Sequence, residues 1–229
     1  MRAILLPIKD LTNAKQRLAG VLTPNQRFEL AQAMLADTIR AVRGVNQAEK
    51  IFVVTNYAPV MRLADENGWE VLLEDRQISE SHSVDVASRA CMARGITRLL
   101  RLPLDIPLVQ SRDIDALLEI ECPRNAVVLV PSQDGTGTNV ILRCPPTLFP
   151  SHFGHGSFAE HRAEAERRGA QITVRRNARL ELDVDDGDDL SLLVRHDLRG
   201  TATGQWLRES GVGARYLADL ESRRWAASS

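Results

Sequence analysis

The sequence is poor in cysteine, and it lacks long apolar runs. Its three cysteines, Cys91, Cys122 and Cys144, are widely separated and odd in number. Such a set fits neither a disulfide framework nor a CxxC zinc site, and it is ordinary for the reducing cytoplasm. No stretch approaches the roughly 20 apolar residues of a membrane span, and the opening "MRAILLPIKD" has too short an apolar run for a signal peptide. We therefore expect a cytoplasmic protein with no membrane partner.

The chain also lacks an excess charge of either sign. Its 29 basic and 30 acidic residues give a formal net charge of −1, and no long basic run occurs. This balance argues against nucleic-acid binding as the main function of the protein, so no nucleic-acid partner is expected. A hydrophobic content of 44% over 229 residues is enough for a full core. We predict one domain over residues 1–229, with a C-terminal helical extension at about 199–229.

Short apolar runs alternate with amphipathic helical patterns along most of the chain. Five runs are typical of strands: "AILLPI", "IFVVT", "WEVLLE", "ITRLLRLPL" and "AVVLVP". Helices are predicted at 24–42, 58–66, 83–94, 111–120 and 157–168, the first with Thr23 as its N-cap and Pro24 at its first position. Strand–helix–strand repetition predicts an α/β fold with a mostly parallel central sheet and helices on both faces.

Five aspartates crowd into seven residues within "LELDVDDGDDLSLL", which starts at Leu180. An EF-hand calcium loop starting at Asp183 is excluded, because its sixth and twelfth places hold Asp188 and Val194 instead of glycine and glutamate. We expect "LELDVD" to be a strand that projects Asp183 and Asp185 from one face. The rest resembles a helix start with Asp186 as N-cap and Asp188 and Asp189 in the first turn. A solvated strand end is the alternative for Asp183 and Asp185.

Polar residues after the first strand indicate a polyphosphate site. In a parallel sheet, ligands bind beyond the carboxyl ends of the strands. There "PIKDLTNAKQRL" carries Lys9, Lys15 and Arg17, although it is neither a Walker A loop nor a GxGxxG motif. Three cations on such a loop suit polyphosphate, with a solvated surface as the alternative.

The fourth strand ends in "RLPLDIPLV", which places Asp105 just after an apolar run. With Asp183 and Asp185 it would form a three-carboxylate site for Mg²⁺, a hard ion that prefers oxygen ligands. The alternative is that Asp105 merely accepts backbone hydrogen bonds at a turn.

An ordered set of motifs identifies a family. "PIKDLTNAKQRL", "LPLDIPLV", "GTGTN", "FGHGSFAEH" and "LDVDDGDDL" resemble, in this order, the 2-phospho-L-lactate guanylyltransferase family of deazaflavin coenzyme biosynthesis. The resemblance spans residues 1–194 and implies a Rossmann-like nucleotidyltransferase fold. It implies that GTP is joined, with loss of pyrophosphate, to a small phosphorylated acid: 2-phospho-L-lactate, phosphoenolpyruvate or 3-phospho-D-glycerate. A homodimer is compatible with it.

The resemblance also implies roles for individual residues. It implies that Lys15, Arg17 and Asp105 take part in catalysis. It also implies that Asp105, Asp183 and Asp185 hold magnesium. The GTP phosphates would be bound by Lys9, Lys15 and Arg17. The acid would be bound by Thr138, Gly154 and Ser157. The polar His155 lies inside the same substrate loop, which leads us to expect a specificity that includes 3-phospho-D-glycerate. A preference for 2-phospho-L-lactate is the alternative.

One segment departs from the family pattern. Where the family shows Gly-Leu-Asn before a helix that helps to bind guanine, this chain has "QISESHSVDVASRA". Hydroxyl groups such as those of Ser81 and Ser83 could bind the base, and Asp85 could accept its N1–H and N2–H₂ donors. A helix N-cap region is the alternative.

Two rival enzyme interpretations and one binding interpretation remain open. His152, His155 and His161 form an HxxH pattern with a third histidine, which could surround zinc. The early basic loop also occurs in nucleotidyltransferases for molybdopterin or sugar phosphates, although these usually carry a glycine-rich first loop. The third alternative is a non-catalytic nucleotide-binding module.

Overall fold

A computed structural model describes residues 1–74 and 78–218. Within them, seven strands form one sheet: β1 Arg2–Pro7, β2 Lys50–Thr55, β3 Glu70–Leu73, β4 Arg98–Arg101, β5 Ala126–Pro131, β6 Thr138–Cys144 and β7 Gln171–Val174. The strand order is β3-β2-β1-β4-β6-β5-β7, with β6 antiparallel to both of its neighbours and the other pairs parallel. The predicted α/β fold with a mostly parallel sheet is confirmed.

The five strands predicted from the short apolar runs are all present, and β6 and β7 were not predicted. Every residue of β6 is buried, as in β5, but polar residues flank its short apolar run in "TNVILRC", so the sequence shows neither a long apolar run nor a regular alternation. The four residues of β7 lie at the sheet edge and include two exposed side chains. Both strands therefore carry a weak pattern in the sequence.

Eight helices have defined bounds in the described residues, and they account for all the predicted ones. They are α1 Pro24–Arg43, α2 Ala58–Glu66, α3 Glu80–Ala93, α4 Ser111–Leu118, α5 Ser157–Arg167, α6 Ala178–Glu181, α7 Gly187–Leu193 and α8 Ala202–Glu209. A short 3-10 helix, Gln16–Gly20, precedes α1. The Thr23 side chain caps α1 as predicted, and Asp186 caps α7. None of the helices in these residues is long and apolar enough to cross a membrane.

The prediction that "LELDVD" is a strand is wrong. Residues up to Glu181 form the single turn of α6, and the following segment pairs with no strand. Leu180, Leu182 and Val184 are nevertheless buried, so the apolar alternation reports burial correctly. The backbone finds polar partners outside a sheet: Asn139 Nδ2 donates to the carbonyls of Leu180 and Glu181 at 3.0 and 2.9 Å. Side-chain hydrogen bonds thus replace the ladder of a strand.

In the described part of the predicted C-terminal extension, residues 199–218, α8 packs on α1, and the rest of the predicted extension lies outside the described residues. Both the backbone N–H of Ala202 and that of Thr203 donate to the carboxylate of Asp37, at 2.7 and 2.9 Å, and Asp37 is almost fully buried. Helical residues 212–218 follow α8. Trp206 and Tyr216 join the apolar cluster that also holds Leu182 and Val184. The extension therefore packs against the same cluster as the acidic segment.

Candidate active site

Most of the predicted site residues converge at one edge of the sheet. The segments that follow β1 and β4 meet there, and because β6 runs antiparallel its first residues, rather than its last, lie beside them. The loop before α5 and the segment after α6 complete a cavity of about 440 Å³. Its lining includes Arg17, Asp105, Thr138, Gly154, His155, Ser157, Asp183 and Asp185 from the predicted set.

Lys15 contacts two of the carboxylates that line the charged side of this cavity. Its Nζ lies 3.0 Å from Asp105 Oδ2 and 2.9 Å from Asp185 Oδ1, and its side chain is only 11% exposed. Burial opposes the charge of Lys15, but the two carboxylates outweigh it and raise its pKa. Burial likewise opposes the charge of Asp105, yet Lys15 first and then Arg101 hold the pKa of Asp105 below its usual value. Lys15 and Asp105 are therefore both charged.

Asp183 completes the predicted carboxylate set, and its charge is poorly compensated. It accepts a hydrogen bond from Asn139 Nδ2 at 3.1 Å, but burial and the neighbouring Asp105 raise its pKa to about 6. Within residues 1–74 and 78–218, no three histidine, cysteine, aspartate or glutamate side chains are grouped as a ready-made metal site. Asp105, Asp183 and Asp185 nevertheless offer hard oxygen donors at this edge, and the anionic form of Asp183 is destabilised. A divalent cation bound there would stabilise that anion.

The other two predicted cations differ in position. Arg17 is 71% exposed and lies 3.4 Å from Asp185, so it borders the charged side of the cavity. Lys9 is half-buried in the same loop, closer to the end of β1. All three cations thus belong to one connection, and Lys15 is the one that is held in place.

The residues predicted to bind the acid form the opposite side of the cavity. The Thr138 backbone N–H donates to Ser157 Oγ at 2.8 Å, and both residues are buried. Gly154 has a φ of 133°, a conformation that favours glycine, and no atom lies within 4 Å of a Cβ placed there. His155 is exposed beside it. Ser157 opens α5, so this loop presents a helix N-terminus to the cavity.

His161 supports this side, a role that the sequence analysis missed. Its ring is fully buried, Nε2 accepts a hydrogen bond from the His152 backbone N–H at 2.9 Å, and Nδ1 lies 3.0 Å from Thr138 Oγ1. Burial, with Arg143, His152 and Arg101 nearby, lowers the pKa of His161 to about 3, so the ring is neutral. Nδ1 therefore carries the proton and donates it to Thr138. Both ring nitrogens of His161 are thus engaged in hydrogen bonds within the protein, an arrangement that disfavours the zinc interpretation.

Arg101, the last residue of β4, is a second cavity residue that was missed. Its side chain is 8% exposed and forms an ion pair with Glu80, the first residue of α3. NH1 donates to the Asn139 carbonyl at 2.5 Å, and the guanidinium lies 4.2 Å from the centre of the Phe153 ring. Burial lowers the pKa of Arg101 to about 10, although Asp105 and Asp183 favour its charge. The group remains a cation at neutral pH.

The residues predicted to bind the base are engaged elsewhere. Ser83 is buried and donates to the Ser79 carbonyl at 2.8 Å. Asp85 accepts hydrogen bonds from the N–H and hydroxyl of Ser151 at 3.0 and 2.7 Å, and Arg143 lies 3.6 Å away. The structure does not bring Ser83 or Asp85 to the cavity.

Ser81 and Ser79 have other partners. Ser81 Oγ accepts a hydrogen bond from the Phe153 N–H at 2.8 Å, which connects α3 to the acid loop. Ser79 caps α3, as the N-cap interpretation of this segment expects, and base binding by the segment stays a prediction.

The second half of the acidic run forms the predicted cap of α7, although Asp186, Asp188 and Asp189 also line the cavity. Asp186 Oδ1 accepts from the N–H groups of Asp188 and Asp189, at 2.9 and 3.2 Å, while Asp189 Oδ2 accepts from the N–H of Asp186 at 3.0 Å. Asp189 also accepts from the Asp185 N–H at 2.8 Å. The cap of α7 therefore also holds the backbone of Asp185.

Comparison with known proteins agrees with the resemblance. The family model described as "Guanylyl transferase CofC like" matches residues 1–224. This chain belongs to that family. Among its solved structural neighbours are a nucleotide-diphospho-sugar transferase candidate from Desulfovibrio desulfuricans and a nucleotidyl transferase from Methanothermobacter thermautotrophicus. Their TM-scores are 0.76 and 0.58 at 16% and 14% identity, with 93% and 91% of this chain and 96% and 99% of theirs covered. At that identity they establish the nucleotidyltransferase-like fold alone.

Named relatives of the CofC-like family differ in the acid that their names specify. A phosphoenolpyruvate guanylyltransferase from Conexibacter woesei is 36% identical, over 82% of this chain and 85% of its own. A 2-phospho-L-lactate guanylyltransferase from Methanothermobacter thermautotrophicus is 31% identical, over 90% and 89%. A 3-phospho-D-glycerate guanylyltransferase from Colwellia psychrerythraea is 32% identical, over 83% and 90%. Similar levels of identity to all three leave the acid to be decided by the site.

Proposed function

We propose that the protein is a Mg²⁺-dependent guanylyltransferase that joins GTP to a small phosphorylated three-carbon acid and releases pyrophosphate, in deazaflavin coenzyme biosynthesis. The observation that carries this proposal is one cavity with two chemically distinct sides. On one side Lys15 lies between Asp105 and Asp185, and on the other the Thr138 and Ser157 loop ends at a helix N-terminus. A polyphosphate with its cation suits the first side, and a small anion suits the second.

The chemistry requires positioning more than acid–base catalysis. A phosphate oxygen of the acid attacks the α-phosphorus of GTP, a new P–O–P bond forms, and the bond to the pyrophosphate breaks. Because the attacking phosphate is already anionic at neutral pH, no general base is assigned. Lys15 and Arg17 neutralise the charge that accumulates on the leaving group, and holding the reactants together lowers the barrier by about 7 to 11 kcal/mol at most.

Asp105, Asp183 and Asp185 would hold the magnesium. A bound Mg²⁺ supplies positive charge and a template for phosphate oxygens. The raised pKa of Asp183, caused by burial and by Asp105, supports this assignment, because a nearby dication would favour its ionised form. Lys15 already favours the ionised form of Asp105.

The choice of acid is proposed to include 3-phospho-D-glycerate. His155 is exposed beside Gly154 in the acid loop, where its imidazole can meet the additional hydroxyl of that substrate. A relative named for this acid also covers most of the chain. The difference between the three acids is small, about 1 to 3 kcal/mol in such a pocket, so competition is the informative measurement.

The test is a matrix of pyrophosphate-release assays. Each nucleoside triphosphate is combined with Mg²⁺ and each of the three acids, and the acids are then mixed at equal concentration. We expect turnover with GTP far above that with ATP, and products from 3-phospho-D-glycerate that decrease in His155→Ala. Equal rates with ATP and GTP would contradict guanine selection, and no release with any pair would contradict the enzyme.

A further inference from the structure

Arg101 lies where the proposed acid would need a cation. The lining of the cavity contains eight acidic side chains, namely Glu80, Asp105, Asp134, Asp183, Asp185, Asp186, Asp188 and Asp189, and two arginines, Arg17 and Arg101. Arg17 is on the Asp185 side. Arg101 contacts Asn139, next to Thr138, and Phe153, next to Gly154. A phosphorylated acid brings a carboxylate as well as a phosphate into this acidic surrounding, so a cation on the acid side would offset the repulsion.

The guanidinium of Arg101 is held in place, but not all of its hydrogen-bond donors are paired. Phe153 covers one face at 4.2 Å, and NH1 donates to the Asn139 carbonyl. NH2 donates to Glu80, while the buried Nε–H has no hydrogen-bond partner within the described part of the chain. Nε and NH2 form the edge of a guanidinium that binds a carboxylate with two parallel hydrogen bonds. Glu80 thus engages only half of a bidentate carboxylate site.

Two other buried arginines lie outside the cavity lining, and they differ: the Nε of Arg27 is also unpaired among the described residues, whereas the donors of Arg143 are used within the protein. Arg143 donates from NH1 to the Phe149 carbonyl at 2.7 Å and from NH2 to Ser88 Oγ at 3.0 Å, with Asp85 as its ion partner. Its Nε is not among the buried unpaired atoms of the described residues. A donor left unpaired in a buried position costs free energy, so its retention in Arg101 calls for a ligand or another explanation.

Glu80 is the more exposed partner in its ion pair with Arg101. Its side chain is 34% exposed, against 8% for Arg101, so the arginine is the fixed partner and the glutamate the accessible one. We propose that Arg101 binds the carboxylate of the phosphorylated acid through Nε and NH2, and that Glu80 occupies this position as an internal carboxylate until the substrate replaces it. This inference rests on the proposed function. It adds a carboxylate-binding residue to that site, and Glu80 sets how easily the residue is reached.

The test compares ligands with and without a carboxylate. Binding is measured by calorimetry, with Mg²⁺ and a GTP analogue that has a methylene between its α- and β-phosphorus and so cannot release pyrophosphate. Two ligand pairs are used: 3-phospho-D-glycerate with glycerol 3-phosphate, and 2-phospho-L-lactate with isopropyl phosphate. In each pair the phosphate is kept and the carboxylate is lost.

We expect Arg101→Gln to weaken binding of the acids by about ten- to a hundredfold, the usual effect of losing a charged hydrogen bond, and to change binding of the carboxylate-free ligands by less than about threefold. Arg101→Lys should lie between, because it keeps the charge but loses the fork of donors. Glu80→Gln should tighten binding of the acids severalfold, since it removes the competing charge. Arg98→Gln, at the opposite end of the same strand, should resemble the native chain.

Each contrary result has a distinct meaning. Equal weakening of acids and carboxylate-free ligands in Arg101→Gln, with an unchanged melting temperature, would overturn carboxylate binding. Weaker binding of the acids in Glu80→Gln would overturn the replacement of Glu80. If the native chain bound neither the GTP analogue nor any acid, the proposed function itself would fail. If it bound both and Arg101→Gln had no effect, only the role of Arg101 would fail.

Discussion

Lys15 adopts a left-handed backbone conformation, with a φ of 54°, although it is not a glycine. Such a residue is uncommon and persists only when its surroundings hold it, here through contacts with Asp105 and Asp185. The sequence predicted Lys15 and Asp105 at the same edge, because each follows a strand of the parallel sheet, and it grouped Asp105 with Asp185 in a magnesium site, but it did not predict the contacts of Lys15 with these carboxylates. Arg101 and His161 were missed because their partners come from distant segments, and one-dimensional spacing does not report such contacts.

The first prediction at this scale separates site aspartates from cap aspartates. Asp105→Asn, Asp183→Asn and Asp185→Asn should each lower kcat about a hundredfold or more, because each removes charge next to the reacting phosphates. Asp188→Asn should change kcat less than about threefold, since the Asp188 side chain is exposed on the capping turn. Steady-state kinetics with circular dichroism as a folding control checks this. Equal damage from Asp188→Asn would show that the division of the acidic run is wrong.

At the scale of elements, periodicity predicted burial better than hydrogen bonding. The alternating residues of "LELDVD" are buried as a strand would bury them, yet the backbone is held by Asn139 and by a hydrogen bond of 2.9 Å from the Val184 N–H to the Asp105 carbonyl. A sequence pattern cannot distinguish these partners from a neighbouring strand. The segment after β3 shows the same limit: its cap residues were recognised, but Asp85 points to Ser151 and not to the cavity.

The cap of α7 supports a prediction about both stability and activity. Asp186→Ala should lower the free energy of unfolding by about 1 kcal/mol, the usual cost of losing an N-cap, because two backbone N–H groups lose their acceptor. The turnover number should also fall, because Asp189 in this turn holds the backbone N–H of Asp185. Denaturant unfolding and kinetics measure the two effects, with Asp188→Ala as the matched control. Native stability in Asp186→Ala would contradict the capping role.

At the scale of the whole molecule, the C-terminal helix and the site share one packed cluster. Asp37 of α1 holds the first N–H groups of α8, and Trp206 donates from Nε1 to Glu29 at 3.1 Å. The same apolar cluster includes Leu182, Val184 and Leu190 beside the acidic segment. The sequence predicted a helical extension, but not that it packs behind Asp183 and Asp185. That follows from long-range burial, which local propensity does not encode.

The stability of the molecule should depend on His161 in a defined pH window. Its pKa is lowered to about 3 in the folded chain by burial and by the charges of Arg143, His152 and Arg101, against an ordinary value of 6.5. Between these values the unfolded chain binds a proton that the folded chain does not, so this group's contribution to stability is present above pH 6.5 and is lost as the pH falls towards 3. Asp183, with its pKa raised to about 6, acts in the opposite direction from pH 6 downwards, so the contribution of His161 must be isolated by a difference.

That difference is the unfolding free energy of the native chain minus that of His161→Gln, measured by denaturant titration at pH 7 and pH 4.5. Gln keeps an uncharged polar group and cannot gain the proton. From pH 7 to 4.5 the native chain should therefore lose about 1 to 3 kcal/mol more than the variant, because one proton contributes up to about 1.4 kcal/mol per pH unit. His196→Gln, which changes an exposed histidine, should follow the native profile. Parallel profiles for the native chain and His161→Gln would mean that His161 is not held neutral in the fold.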